Sequence, residues 1–299
     1  MMAKIIVIGS SNTDMVIQSD RLPAPGETVL GGTFFMNPGG KGANQAVAAA
    51  RLGGETYFIA KVGKDVFGES ALQQFALEGI QGQYICQDDK QPSGVALINV
   101  DAQGENCITV ASGANAHLMP PDIEAANSLF QQGNWLLLQL EIQLETVIFS
   151  LEKAHHTGLH VVLNPAPACA LPESIYAHID IISPNETETE FLTGIRPVDE
   201  ASLSLACDYF LSRGVKSVVI TRGAKGAYWK THEAFGHVPA QQVVAVDSTA
   251  AGDCFNGALV VALSEGMAFQ QAIAFACKAA ALSVTQLGAQ SSMPRRKQL

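Results

Sequence analysis

The chain has 299 residues, 47% hydrophobic and 15% charged, which excludes a disordered polypeptide and sits at the upper edge of what one hydrophobic core supports. Its 18 Lys and Arg against 28 Asp and Glu leave a net charge of −10, so no nucleic-acid partner is expected. No apolar run reaches the ~18 residues of a membrane span, and the apolar stretch at the N-terminus is too short for a secretory signal.

The elements read in chain order as an α/β alternation. Lys4 to Ile8 is a short apolar run ending at Gly9, the pattern of a buried strand. Thr28 to Asn37 reads as a β ribbon, Ala43 to Leu52 as an Ala-rich helix stopped by Gly53, Thr56 to Val62 as a strand and Phe67 to Leu77 as a helix with Gly79 beyond it. Gly94 to Val110 is a second ribbon with a hairpin signal at Asp101-Ala102-Gln103-Gly104. Trp135 to Leu140 is a strand. Leu144, Val147, Ile148, Leu151 and His155 then repeat at helical spacing, with Gly158 as a stop. His160 to Leu163, Ile179 to Ile182 and Lys216 to Thr221 read as strands, with helices around Glu188 to Leu192 and Ala201 to Leu211 between the later ones. Val243 to Val246 is strand-like and leads into a helix from about Phe255. This order predicts an α/β fold with a mostly parallel sheet covered by helices on both faces. The two antiparallel ribbons do not suit such a sheet, and they predict a small β flap or lid, inserted from about 12–38 and 93–111 into one domain spanning 1–299. A flap of this kind can close over a substrate and exclude water.

Six cysteines, Cys86, Cys107, Cys169, Cys207, Cys254 and Cys277, form no Cys-x-x-Cys pair. They read as reduced, mostly buried thiols of a cytoplasmic protein. Arg295, Arg296 and Lys297 are the one basic cluster and read as a solvated tail. A Walker A loop, a G-x-G-x-x-G turn after the first strand, a G-x-S-x-G elbow and an H-E-x-x-H helix are all absent.

Four small-residue turns carry the chemistry. In DSTAAGDCF, Asp247 to Phe255, a strand-to-helix turn of Ala250, Ala251 and Gly252 offers free backbone N–H groups to an anion, and Asp253 beside it suits a proton acceptor. In PGGKGANQ, Pro38 to Gln45, the paired Gly39 and Gly40 permit positive φ or close approach, and Lys41 and Asn44 present donors at a helix start. In PNETE, Asn185 and Glu188 stand three apart at a strand end, where they can organise water, metal and phosphate. TRGAKG, from Thr221, sets Gly223 and Gly226 three apart after another strand, which can cradle a phosphate. Taken singly, each also suits a bland reading: a capped helix, a tight turn, or acids complementing a helix dipole.

Together the turns resemble the ribokinase-like carbohydrate kinase family. PGGKGANQAVAAARLG resembles its N-terminal signature, DSTAAGDCFNGAL its C-terminal signature, and NETE its N-x-x-E motif. GSSNTD, GETV, NPAPA and GAQSSMP extend the likeness from the first strand to about Pro294. The resemblance implies a three-layer α/β/α domain with a β-sheet lid, often paired between two subunits as a homodimer. It implies ATP-dependent phosphorylation of the primary hydroxyl of a pentose, D-ribose first, with ATP, Mg²⁺ and K⁺ as cofactors. Asn12, Asp14, Gly40, Lys41, Asn44 and Glu141 match sugar-holding positions, and Asp253 matches the base. Ala250, Ala251 and Gly252 match the anion hole. Asn185, Thr221, Gly223 and Gly226, with Gly252, match the ATP-binding turns, and Glu188 matches the acid that organises Mg²⁺ through water. Asp247, Thr249, Ser283, Gln286, Gly288 and Ser292 match loops that hold a monovalent cation, largely through carbonyls.

Alternatives stay open: a deoxyribokinase, a nucleoside kinase using Phe34 and Phe35 for stacking, or a non-catalytic sugar-binding regulator. A sugar-phosphate substrate is disfavoured because Thr28 to Asn37 holds no Arg or Lys. Cys254 stands where relatives often carry Thr or Ala, and it reads as a small buried residue or, less simply, as a thiol activated by the helix N-terminus. The sequence ends five residues after Pro294, where many family members continue into a further helix, with little expected effect on catalysis.

Overall fold

A computed structural model describes residues 3–299. In chain order it contains β1 Lys4–Ile8, β2 Asn12–Gln18, β3 Thr33–Gly39, α1 Lys41–Arg51, β4 Glu55–Gly63, α2 Val66–Leu77, β5 Gln81–Asp88, β6 Gly94–Val100 and β7 Asn106–Ala111. There follow α3 Pro120–Ala125, α4 Asn127–Phe130, β8 Trp135–Leu138, α5 Leu144–Thr157, β9 His160–Leu163, β10 Ile181–Ile182, α6 Glu186–Thr193 and α7 Glu200–Leu211. The chain closes with β11 Ser217–Thr221, β12 Ala227–Thr231, β13 Phe235–Val238, α8 Ala251–Ser264 and α9 Phe269–Ser283.

The large sheet has nine strands in the order β13-β12-β11-β10-β9-β8-β1-β4-β5. From β5 to β11 all neighbours are parallel. β12 and β13 add an antiparallel edge. Strand alternation divides the core between two faces. Ile5 and Val7 of β1 pack with α1, α8 and α9 residues such as Val47, Leu259 and Ile273. Ile6 and Ile8 pack on the other face with Val147 and Leu151 of α5 and Phe210 of α7. The fold is thus the expected three-layer α/β/α arrangement, with a smaller, separate sheet. Among the described residues no helix is long and apolar enough to cross a membrane.

The smaller sheet has the order β3-β2-β6-β7. Its register corrects the ribbon reading in two ways. The first ribbon begins at Thr33, not Thr28, and pairs antiparallel with Asn12–Gln18. β2 and β6 then pair parallel, because they continue beyond the ends of β1 and β5, which already run the same way in the large sheet. The hairpin signal at Asp101–Gly104 joins β6 to β7.

Other expectations are also corrected. Val243 to Val246 forms no strand; Val244 is 84% exposed, and the segment is bent by the Val246 and Asp247 N–H groups, which both donate to Val284 O. The strand expected at Ile179 shortens to two residues, since Ile179 closes a 3₁₀ turn. Half of the cysteines, not most, are buried: Cys207, Cys254 and Cys277 are, whereas Cys107 is exposed on β7. The basic cluster is no free tail, for Arg296 pairs with Glu265 at 2.8 Å and lies over the Phe275 ring.

Candidate active site

The site forms where β1, β8, β9, β10 and β11 end and the smaller sheet begins. α1 is brought against the turn after β1 by two glycines. Gly42 leaves no room for a Cβ, which would lie 2.6 Å from Gly9 C and Cα, and Ala43 N–H donates to Ser10 O at 2.9 Å. The two glycines ahead of α1 serve different ends. Gly40 holds φ 88° at the helix entrance. Gly39 makes space for Asp14, whose Oδ2 would lie 2.2 Å from a Cβ.

Asn12, Asp14, Gly40, Lys41, Asn44 and Glu141 are brought together in one polar niche. Asn12 is buried, and its Oδ1 accepts from Asn115 Nδ2 at 2.7 Å; its own amide N–H groups remain as donors. Asn115 is held in turn by both polar groups of the Ser11 backbone. Glu141, after β8, accepts from Lys41 N at 3.0 Å and from Ser10 Oγ. Burial, then the charges of Glu141 and Asp253, push Asp14 up to about 6 against the pull of Lys41. Burial alone would lower the Lys41 pKa, but Asp253, Glu141, Glu188 and Asp14 outweigh it and lift it above the usual lysine value.

Asp253 is the third residue of α8 and is buried. Its Oδ2 accepts from Asn44 Nδ2 at 3.0 Å and its Oδ1 from Gln45 Nε2 at 2.9 Å. Burial raises its pKa, opposed by Lys41 and by these two amides. Immediately before it the chain turns through Ala250 at φ 59°, the one described non-glycine residue in the left-handed region, a strain that concentrates at ligand-handling turns. The N–H groups of Gly252 and Asp253 have no backbone acceptor, and the space where a Gly252 Cβ would stand is open. A helix N-terminus so arranged receives negative charge.

A cavity of about 180 Å³ lies in front of this turn, lined by Lys41, Asn185, Glu188, Ser248 and Ala250 to Asp253 among others. Glu188 Oε2 accepts from Asn185 N at 2.8 Å while Asn185 Oδ1 accepts from Glu188 N at 2.8 Å. The pair is therefore a helix cap and also faces the cavity. Burial raises the Glu188 pKa against the Asn185 N–H and Lys41. A second cavity of about 380 Å³, lined by Thr221, Gly223, Gly226, Phe255, Cys277, Ala280, Val284 and Val243, shares Thr221, Ser248, Ala251 and Gly252 with the first. Its walls are mostly apolar, as suits a flat heterocycle, and the shared turn suits that molecule's anionic tail. Gly226 also has a local duty, since a Cβ there would meet Val238 O at 2.0 Å.

Asp247 holds two loops together: Oδ1 accepts from Thr249 N at 2.9 Å and Oδ2 from Gly288 N at 2.8 Å. Burial raises its pKa, but the Thr249 hydroxyl and these N–H groups outweigh that and lower it. The Ser283 and Ser292 hydroxyls donate to Ala280 O and Ala289 O at 2.8 Å each, and Gln286 N–H donates to Ser283 O. With the Asp247 carboxylate so engaged, the remaining oxygens of this place are largely carbonyls, a donor set that fits a hard monovalent cation. Among the described residues no cluster of three or more His, Cys, Asp or Glu can hold a metal. The activated-thiol reading of Cys254 fails, because burial pushes this thiol up to about 12.

Several contributing residues carried no separate sequence signal. Gln45 and Asn164 lie inside PGGKGANQ and NPAPA, but an uncharged amide there has no spacing or charge that marks it apart from its neighbours. Asn115 lies 103 residues from the Asn12 it fixes, and no local pattern marks it.

A family model, pfkB family carbohydrate kinase, matches residues 2–296. The chain is 44% identical over 294 residues to a ribokinase of Haemophilus influenzae, covering 98% of this chain and 96% of that one. It is 40% identical over 296 residues to a deoxyribokinase of Salmonella typhi, with 98% and 96% covered. The structure of Arabidopsis thaliana ribokinase complexed with ribose and ATP superposes with a TM-score of 0.92 at 32% identity, covering 99% of this chain and 97% of that chain. With both long signatures folded around one pair of joined cavities and the family model spanning nearly every residue, the chain belongs to the pfkB family of carbohydrate kinases.

Proposed function

We propose that this kinase transfers the γ-phosphoryl group of ATP to the primary hydroxyl of D-ribose, giving D-ribose 5-phosphate. The observation that carries the reading is the buried niche beside Asp253. It offers amide donors from Asn12, carboxylate acceptors from Asp14 and Glu141, and an Asn44 Oδ1 that is buried without a partner. A neutral polyhydroxylated ring supplies the complementary hydroxyls, and leaving such atoms unpaired costs roughly 1–3 kcal/mol each.

In this reading Asp253 orients the attacking hydroxyl and accepts its proton. The turn of Ala250, Ala251 and Gly252 receives the charge in flight, chiefly through the Gly252 N–H, since the Ala251 N–H already donates to Ser248 O at 3.3 Å, so catalysis is positioning plus charge stabilisation. Lys41 holds its charge among four carboxylates and meets the phosphoryl group from the niche side. Asn185, Thr221, Gly223 and Gly226 border the nucleotide. Mg²⁺, when bound with the nucleotide, neutralises phosphate charge. Glu188 would organise it through water, which fits because Mg²⁺ keeps several waters and takes few carboxylates. K⁺ would be held by the carbonyls around Asp247, Thr249, Ser283, Gln286, Gly288 and Ser292, stiffening the anion-hole turn without touching substrate. The smaller sheet is read as a lid inserted into a single domain. It would pair with the lid of a second copy, because Ile17, Phe34, Met36, Leu97 and Ile108 stand exposed on it. Six unpaired cysteines suit the reducing cytoplasm.

The deoxyribokinase relative makes 2-deoxyribose the second reading. A site built to bind a hydroxyl discriminates against the analogue lacking it, so ribose should have the higher kcat/KM by about 10-fold or more. Coupled ADP release measured with ribose, 2-deoxyribose, fructose and adenosine tests this. Equal values for the two pentoses, or a preference for 2-deoxyribose, would overturn the ribose assignment and leave the kinase assignment standing.

A further inference from the structure

Asp253 is gripped by two amides, and only one of them, Asn44, belongs to the sugar niche. The other, Gln45, is fully buried and lines neither cavity. Its neighbour Gln139, beyond β8, is also fully buried. Burying two amides in an apolar layer is costly unless their hydrogen bonds are spent to some purpose.

The bonds run in one direction. Asn164 Nδ2 donates to Ser183 O at 3.1 Å; a carbonyl only accepts, so Asn164 must turn Oδ1 toward Gln45. That oxygen accepts from Gln45 Nε2 at 3.1 Å. On the opposite side Gln139 Nε2 donates to Gln45 Oε1 at 2.6 Å. Asn164, itself fixed by Ser183 O, thus sets the orientation of Gln45, with its remaining N–H on Asp253 Oδ1 at 2.9 Å, and Gln139 satisfies the Gln45 oxygen. Among the described residues Gln139 has no other partner, and its Oε1 is buried and unpaired against Gly9.

We propose that Gln45 is a positioning residue for the Asp253 carboxylate, and that two neighbours act through it: Asn164 by fixing which end of its amide faces Asp253, and Gln139 by satisfying the amide oxygen that points away. The inference rests on Asp253 being the base. Held on Oδ1 by Gln45 and on Oδ2 by Asn44, the carboxylate cannot swing about its Cβ–Cγ bond, and its free lone pairs are left for the sugar hydroxyl. An amide flipped the other way would set a carbonyl oxygen against the carboxylate. The charged groups facing Asp253 are Lys41 of α1, Glu141 after β8, Asp14 of β2 and Glu188 of α6. None of the four bonds to Gln45 or Gln139, whose partners are Asn164, Asp253 and each other.

The test is kcat against pH at saturating sugar for Gln45→Met and Gln139→Met, alone and combined with Asp253→Asn, alongside thermal melts. Gln45→Met should lower kcat about 10-fold or more and move the acid limb up by about one pH unit, the scale of one hydrogen bond to a carboxylate. Sugar KM should stay within about twofold, since the sugar-holding side chains are intact. Gln139→Met should move the limb the same way by less. In the Asp253→Asn background Gln45→Met should change kcat less than about twofold. An unmoved limb, or an equal loss with and without Asp253, overturns the proposal. If Gln45→Met does not fold, the Gln139→Met limb decides by the same criterion. If Asp253→Asn alone keeps wild-type kcat, the assignment of the base is what has failed.

Discussion

Gly42→Ala is the sharpest test of how α1 is docked. A methyl at this position would lie 2.6 Å from Gly9 C and Cα and 2.7 Å from Ser10 N. Two carbons pack best at ~3.5–4.0 Å, so α1 must retreat from the β1–β2 turn by roughly 1 Å. No side-chain rotation relieves the contact, because every clashing atom is backbone. Overpacking of this kind costs about 1–3 kcal/mol, against which alanine regains roughly 0.5–1 kcal/mol of helix propensity over glycine. A net loss of about 1–2 kcal/mol in urea unfolding is expected. The kinetic cost should be larger. Lys41, Asn44 and Gln45 ride on the same turn of helix, and a ~1 Å misplacement at a reacting centre can cost about 10²-fold. Urea titration and steady-state kinetics on the same preparation measure both. A variant at least as stable as the parent, with kcat within about twofold, would show that the helix does not depend on this contact.

Asp253→Asn should lower kcat about 10²–10⁴-fold, the range of a lost general base, with sugar binding by calorimetry little changed; retention of half the turnover would refute the role. Asp14 is pushed from 3.8 to about 6, so the folded protein pays for its ionised form; that penalty is absent below pH ~4, grows between ~4 and 6 and is full above. Asp14→Asn should therefore stabilise the sugar-free protein at pH 8 by ~1–3 kcal/mol and hardly at pH 4, while raising sugar KM; unfolding curves at the two pH values check the sign. Arg51→Met removes one half of a half-buried pair with Glu78, 2.6 Å apart, and leaves Glu78 to Arg295 alone; it should cost about 1.5–3 kcal/mol in chemical denaturation. Because Arg51 Nη1 also holds Gln290 O at 2.7 Å and Met293 O at 2.8 Å, the same variant should need more K⁺ for half-activation; an unchanged K⁺ titration would separate the loop from the cation.

The helices and the inner strands were legible because each is locally self-consistent: an apolar run at Lys4–Ile8, an Ala-rich helix closed by Gly53, a 3.6-residue repeat ended by Gly158. The turns proposed to carry the chemistry stand out for a related reason, since glycine and alanine at a strand end admit ligands where larger residues cannot, and Lys41, Asn44, Glu188 and Asp253 stand beside them. Tertiary structure decided what depends on distant partners. Val243 to Val246 has the composition of a strand, yet its last residue, Val246, and the following Asp247 bond to Val284 instead of a sheet neighbour, so the segment becomes a wall of the larger cavity. The parallel pairing of β2 with β6 follows from where β1 and β5 end, which no window of sequence contains. The same holds inside the site. That Asn12 turns its oxygen to Asn115, that Gln45 turns its nitrogen to Asp253, and that the Asp14 carboxyl is pushed up to about 6 are consequences of burial and of neighbours far away in the chain. Hydrogen-bond direction and desolvation are properties of the assembled neighbourhood, and only the folded chain supplies one.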